Sequence, residues 1–433
     1  MRVADAIARI LRVEGAEFLS AYPTTPLIEA AARADIRPVL CRQERVGVGI
    51  ADGYARVKNG RRLAVFCMQY GPGAENAFPG VATAYSDSTP LLLLPLGHPR
   101  DRAQVFPLFS SARTYVSVTK AVETLTVAGQ VAEVMRRAIS LLRMGRPGPV
   151  MVEIPADIVN EDVPEAVVDA YRPVRATTAG ANVRDVEAAA RVLREARRPV
   201  IHAGQGVLYA GACDDLLELA ELLQAPVMTT MEAKSAFPED HPLALGAGGP
   251  AVTGPTVRYL READVVFGIG CSFTRHGMAA SIPAGKTLIH ATNDERDLNK
   301  SYAADHPLLG DARLVLRQCL EAIASQGAAR PAARACAPSW GVRGRPGSPN
   351  GRRCSARAKF RSTPIASSRS SCGPSIRARP SSRTTREVRA TSSCPSTGPS
   401  RRAATSAGAS RTPSARGSAS SSAPSWPPPT SSA

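Results

Sequence analysis

Glu44 is the first residue whose type and setting suit acid–base chemistry. It follows the apolar segment Arg37-Pro38-Val39-Leu40-Cys41 and opens a stretch to Val57 in which Val46, Ile50, Tyr54 and Val57 recur at helical spacing. A carboxylate at such a strand-to-helix junction can hold or move a proton for a ligand. It can equally complement the helix dipole, worth about 0.3–1 kcal/mol, and position alone leaves both readings open. A second candidate is Gly71-Pro72-Gly73-Ala74-Glu75-Asn76, which follows the apolar run Leu63 to Met68. Its glycines let backbone amides face a ligand at the amino end of the next helix, or they simply permit a tight turn. Gly204-Gln205-Gly206 with Gly211 fails the dinucleotide GxGxxG spacing, and no acid after the following strand is placed to hold a ribose. Cys41, Cys67, Cys213, Cys271 and Cys319 are widely spaced, with no CxxC pair. They are expected as buried free thiols, not as a metal site or a disulfide framework, and no metal ligands are assigned.

Alternating strands and helices must position these residues. The pattern predicts strands at Phe18–Tyr22, Arg37–Cys41, Leu63–Met68, Pro90–Pro95 and Pro149–Ile154. Helices intervene, among them Glu44–Val57 and Gly73–Ala84. After the polar loop Tyr171–Asn182 a second alternation begins. Its strands are expected at Pro199–Ala203, Pro226–Thr230, Val265–Ile269 and Thr287–His290, and a helix at Asp311–Ala324 closes it. Short apolar strands separated by helices imply parallel sheets covered on both faces. The fold class is α/β: two open parallel-sheet sandwich domains, residues 1–170 and 183–326, followed by a disordered basic tail, 331–433.

The net charge of +17 sits in that tail, where 17 Arg and one Lys face a single acid, Glu387. The residues before it are balanced, so the part built to fold offers no basic surface for nucleic acid. The tail holds 25 Ser, 17 Ala, 14 Pro and 8 Gly, with no Leu and no Asp. Such a composition buries too little apolar surface to offset an ordering entropy of roughly 1–2 kcal/mol per residue. Cys336, Cys354, Cys372 and Cys394 lie in it without His or Asp to help bind metal. Met1-Arg2-Val3-Ala4-Asp5 lacks an apolar signal core, and the run Pro90 to Gly97 falls far short of the roughly 18 residues needed to span a bilayer. A cytoplasmic protein without membrane contact is expected.

Taken together, the motifs are more specific than any one of them. The run Glu44-Arg45-Val46-Gly47-Val48-Gly49-Ile50-Ala51-Asp52-Gly53-Tyr54-Ala55-Arg56, then Gly71 to Asn76, then Asp87-Ser88-Thr89-Pro90-Leu91, resembles the amino-terminal domain of thiamine diphosphate enzymes of the acetolactate synthase type. The likeness continues through Gly145 to Val150, Glu153 to Asp157, Ala225 to Thr230 and Ala236 to Pro242. It implies that residues 1–170 bind the cofactor's pyrimidine half and that 183–326 form the family's central domain. It implies further that Glu44 hydrogen-bonds N1′ of the aminopyrimidine and so helps remove the thiazolium C2 proton, readying the cofactor to attack a 2-oxo acid carbonyl. Tyr22, Pro23, Pro72, Asn76 and His98 would line the cofactor pocket. A homodimer or homotetramer is implied, because in this family the glutamate of one subunit serves cofactor held by another.

The sequence also departs from the family. Gln43 stands where a histidine is usual, Arg45 where a glutamine is, Thr24-Thr25 where a glycine pair is common, and His98 where glutamine is frequent. Phe106 matches a family phenylalanine upstream of Lys120, but Pro107 and Leu108 replace its polar neighbours. Thr292 replaces the first aspartate after Leu288-Ile289-His290, which bears on FAD binding. The family's third domain holds Mg²⁺ and the diphosphate through a Gly-Asp-Gly turn and a later Asn; the tail, where it would begin, has no Asp. A shifted reading frame of a G+C-rich gene accounts for the tail's composition, and such a chain is expected to be inactive by itself. The alternative is a non-catalytic remnant or regulatory binding module without cofactor affinity.

Overall fold

The computed structural model describes residues 1–103, 105–249, 252–277 and 279–327. The expected disordered tail lies outside them. A first sheet contains β1 (Phe18–Ala21), β2 (Arg37–Leu40), β3 (Val65–Met68), β4 (Leu92–Gly97), β5 (Ala121–Thr124) and β6 (Val150–Pro155). Their order is β2-β1-β3-β4-β6-β5, and every pairing is parallel. Strand residues alternate between two cores, as the two-residue period requires. Val65, Cys67, Leu92, Leu94, Val150 and Val152 pack with the helices Val3–Val13 and Val131–Arg143. Phe66, Met68, Leu93 and Met151 face the helices Glu44–Val57 and Pro72–Ser86. This double covering is why the strands read as nearly unbroken apolar runs.

A second sheet contains β7 (Pro199–Ala203), β8 (Val227–Thr229), β9 (Ala244–Ala247), β10 (Val265–Ile269), β11 (Thr287–Thr292) and β12 (His306–Leu309). Its order is β12-β11-β10-β7-β8-β9, again with parallel pairings. Ile201, Phe267 and Ile289 pack under the helices Val183–Glu195, Cys213–Leu223 and Ala312–Ser325. Val200, Val266 and Leu288 face a smaller core with Leu260 and Phe273. The expected α/β class with two parallel sheets is what the chain forms.

The sequence pattern misses β5, β9 and β12, and each of these is an edge strand. An edge strand needs no continuous apolar run, since solvent takes one side of it. Cys41, Cys67, Cys271 and Cys319 are buried free thiols as expected, whereas Cys213 is only partly buried. Among the described residues no helix is long and apolar enough to cross a membrane.

Candidate functional site

In the first sheet the strand order reverses between β1 and β3. Ligands of open parallel sheets bind outside the carboxyl ends of the strands at such a reversal. Tyr22 and Pro23 follow β1, Glu44 follows β2 across a three-residue link, Gly71 and Pro72 follow β3, and His98 follows β4. The predicted residues therefore lie along one rim, over four neighbouring strands.

Glu44 is the first residue of its helix and is 3% exposed. Its carboxylate makes no hydrogen bond or ion pair with another described residue. The side chain is packed in, yet its oxygens keep a small opening to the rim, which leaves the carboxylate available to a ligand from that side. Gly47, one turn along, lets the helix descend on the sheet: a Cβ there would lie 2.7 Å from Cys41 Sγ and inside contact distance of the Phe66 ring. Ser20 Oγ donates to the Gly47 carbonyl at 2.8 Å and fixes that approach. Cys41 lies beside the carboxylate; burial pushes its thiol up, and the Glu44 charge adds to the effect.

Gly71 caps the helix Pro72–Ser86 with φ +58 and ψ −116, a backbone shape that demands glycine. No side chain caps that helix. A Cβ on Gly73 would sit 2.7 Å from Gln69 Cγ and 3.4 Å from Glu44 Oε1, so the turn and the glutamate converge. Pro72, Asn76 and Pro23 are exposed on the rim, and Tyr22 is partly buried. The Tyr22 amide donates to the Cys67 carbonyl at 3.2 Å, holding the start of its loop against β3. The His98 ring packs on Tyr70 with centroids 4.7 Å apart, and its Nε2 is enclosed without a partner. Phe106 is 93% exposed and takes no part in the rim as described.

Several supporting contacts are not visible in the sequence. Tyr115, fully buried, donates from its hydroxyl to the Ala74 carbonyl at 2.6 Å and pins the first turn of the helix that carries Asn76. Glu153 accepts from Ser111 Oγ and, at 3.1 Å, from the Ala112 amide. Asp157 accepts from Arg100 Nε at 2.6 Å, tethering the segment after His98. Asp52 and Asp87 both accept from Arg56 at 2.7 Å, so that part of the motif is structural. No local sequence signal marks Tyr115 or Ser111, because their partners are distant in the chain.

The second sheet reverses between β7 and β10. A cleft of about 1330 Å³ opens there and runs between the two α/β units, lined by Gly204, Gly270, Phe273, Thr230 and Asp294 of the second and by Asn59, Ser88, Lys120 and Arg146 of the first. Gly204 and Gly270 are explained by their mutual approach: a Cβ on Gly204 would collide with the Gly270 carbonyl oxygen. Asp294 is 7% exposed; burial works against its charge, but hydrogen bonds from Arg296 hold its carboxyl below the usual range. Arg146 donates to Ser88 Oγ at 2.8 Å and to both Asp297 oxygens at 2.9 Å, joining motif segments of one unit to the other.

Residues 1–141 match the thiamine pyrophosphate enzyme N-terminal TPP binding domain, and residues 186–319 match the thiamine pyrophosphate enzyme central domain. The chain belongs to the thiamine pyrophosphate enzyme family and is acetolactate synthase-like within it. A probable acetolactate synthase large subunit of Methanococcus aeolicus is 34% identical over 336 residues, covering 74% of this chain and 55% of the relative. One from Methanocaldococcus jannaschii is 34% identical, covering 75% of this chain and 56% of the relative. Acetolactate synthase isozyme 3 large subunit of Escherichia coli is 32% identical, covering 76% and 59%. The chain thus spans a little over half the length of these curated relatives.

Proposed function

We propose that the chain supplies the pyrimidine-binding half of a thiamine diphosphate site for a lyase or transferase acting on 2-oxo acids. The observation that carries this reading is the nearly buried, unpartnered carboxylate of Glu44 beside Gly73. A ring nitrogen that shares a proton with it would satisfy both groups. When bound, thiamine diphosphate supplies a carbon nucleophile and an electron sink. Glu44 would hold a proton at N1′, Gly73 would leave room for the ring, and Tyr22, Pro23, Pro72, Asn76 and His98 would form the surrounding wall. The exposed Pro23, Pro72 and Asn76 suit a site closed by a second copy, as a homodimer or homotetramer in the cytoplasm.

Among the described residues no cluster of three His, Cys, Asp or Glu could hold a metal, and no Gly-Asp-Gly occurs in the sequence. These residues do not fit a diphosphate-bound Mg²⁺, so no step is assigned to it, and the 433 residues by themselves are expected to be inactive. The part of the cleft at the β7–β10 reversal has the position in which open parallel sheets bind a dinucleotide such as FAD. Asp294, two residues beyond Thr292, has both carboxylate oxygens engaged by Arg296.

Isothermal titration of the full chain with thiamine diphosphate and Mg²⁺ tests the reading. Saturable binding that is lost in Glu44→Gln is expected. Equal binding by that variant would remove Glu44 from its role, and no binding by the unsubstituted chain would favour a remnant without cofactor affinity.

A further inference from the structure

His202 of β7, Gly268 of β10 and His290 of β11 stand in one register row, His202 beside Gly268 and Gly268 beside His290. With no side chain at its middle position, the row has a gap, and the Phe273 ring fills it. A Cβ on Gly268 would lie 2.6 Å from Phe273 Cε1. The ring stacks on His290 with centroids 4.4 Å apart and an interplanar angle of 29°, and it lies 5.8 Å from His202. Phe273 reaches this place with φ +46, a conformation rare for an aromatic residue and kept only where the surroundings enforce it.

The two imidazoles differ in how they are satisfied. His290 has a ring nitrogen 2.9 Å from the Cys271 carbonyl oxygen. His202 is 6% exposed, and its Nδ1 is enclosed with no partner. Burial and the neighbouring His290 keep this ring neutral, so it carries one N–H. An enclosed N–H without an acceptor costs more than an enclosed lone pair, which places the proton on Nε2. The side chain lines the cavity, and Nε2 is the polar atom left to face it. Val200, two residues earlier on the same face, is apolar. Packing alone therefore gives no reason for an imidazole here.

We propose that His202 is a specificity-determining residue of this cavity: its Nε2–H donates to an acceptor atom on the heterocycle or ribose of a nucleotide lying across the β7–β10 crevice. Phe273 fixes the direction of that donor by occupying the space into which the ring would otherwise turn. The assignment rests on the nucleotide reading of the cavity given above.

The test is titration calorimetry of the full chain with FAD and, separately, with ADP, for the unsubstituted protein and for His202→Leu, His202→Gln and His202→Asn. The Gln amide nitrogen can reproduce Nε2, whereas the shorter Asn amide reproduces Nδ1. The expected result is binding by the unsubstituted chain, about tenfold weaker binding by His202→Leu, recovery by His202→Gln and none by His202→Asn, at matched thermal midpoints. If His202→Leu fails to fold, the Gln and Asn pair still decides. Unchanged affinity in His202→Leu, or equal affinity in the Gln and Asn variants, overturns the role of His202 while leaving the nucleotide reading in place. Binding of neither nucleotide by the unsubstituted chain overturns both.

Discussion

Glu44 and Gly73 meet across the rim of the first sheet: a Cβ on the glycine would come within 3.4 Å of the glutamate Oε1. Neither motif shows this alone. The contact joins a carboxylate at one helix start to the turn that begins the next helix. Gly73→Ala should therefore displace Gln69 and crowd the carboxylate, lowering thiamine diphosphate affinity about tenfold while costing under about 2 kcal/mol of stability. Parallel calorimetry and thermal melts check it. A variant that binds as tightly as the original would show that the space beside Glu44 is not used by ligand.

Gly47 serves packing. With Phe66 and Cys41 closing on it, Gly47→Ala should destabilise the fold by about 1–3 kcal/mol. In a unit of this size that lowers the melting temperature by several degrees, at roughly 2–4 °C per kcal/mol. An unchanged melting curve would mean that the helix Glu44–Val57 can lift from the sheet at little cost.

Arg146 is the clasp between the two α/β units. Its Nη1 donates to both oxygens of Asp297, whose side chain is 6% exposed, in a charge-assisted contact, while its Nε donates to Ser88 Oγ. Arg146→Ala should cost about 1.5–3 kcal/mol, moderated by Lys300, which still reaches Asp297 at 2.6 Å. Arg146→Lys should recover only part, since one ammonium cannot serve Ser88 Oγ and the Asp297 carboxylate together as Nε and Nη1 do. Limited proteolysis of the loop between 171 and 182 is expected to quicken in the Ala variant, and an unchanged cleavage rate would count against the clasp.

His202 gives the fold a pH dependence with a definite sign. Burial, helped by His290, pulls its pKa down from 6.5 to about 4. Between those values the unfolded chain takes up a proton that the folded chain refuses. The contribution is fully present above about pH 6.5 and is lost as pH falls toward 4, on the order of 3 kcal/mol in all. Burial shifts His290 in the same direction. Urea midpoints at pH 7 and pH 4.5 should differ markedly less in His202→Leu than in the original; equal differences would mean that other groups carry the dependence.

Most of the architecture was readable because central strands of a doubly covered sheet are apolar throughout. Pro199–Ala203 and Val265–Ile269 coincide with their expected bounds. Ala121–Thr124 and His306–Leu309 were not readable, since an edge strand mixes polar and apolar residues. At the candidate site, the sequence could name Glu44 and the Gly71 turn. It could not show that the carboxylate lacks a partner, that His98 Nε2 is enclosed, or that Tyr115 holds the helix from across the chain. The row His202–Gly268–His290 was likewise hidden, because it exists only in the register of strands far apart in sequence.

The two strand orders determine when each sheet can close. In the first, β1 lies between β2 and β3, both of which follow it directly, so its hydrogen bonding is complete once Met68 has been made. In the second, β7 is the earliest strand in the chain but occupies the middle of the sheet, between β8 and β10. One of its edges stays open until Val265–Ile269 has been synthesised. The first sheet has an interval of the same kind, because β4 meets its outer neighbour β6 only after the intervening β5 has been made, so each sheet passes through a stretch of synthesis in which a central strand with one open edge must be kept from other chains.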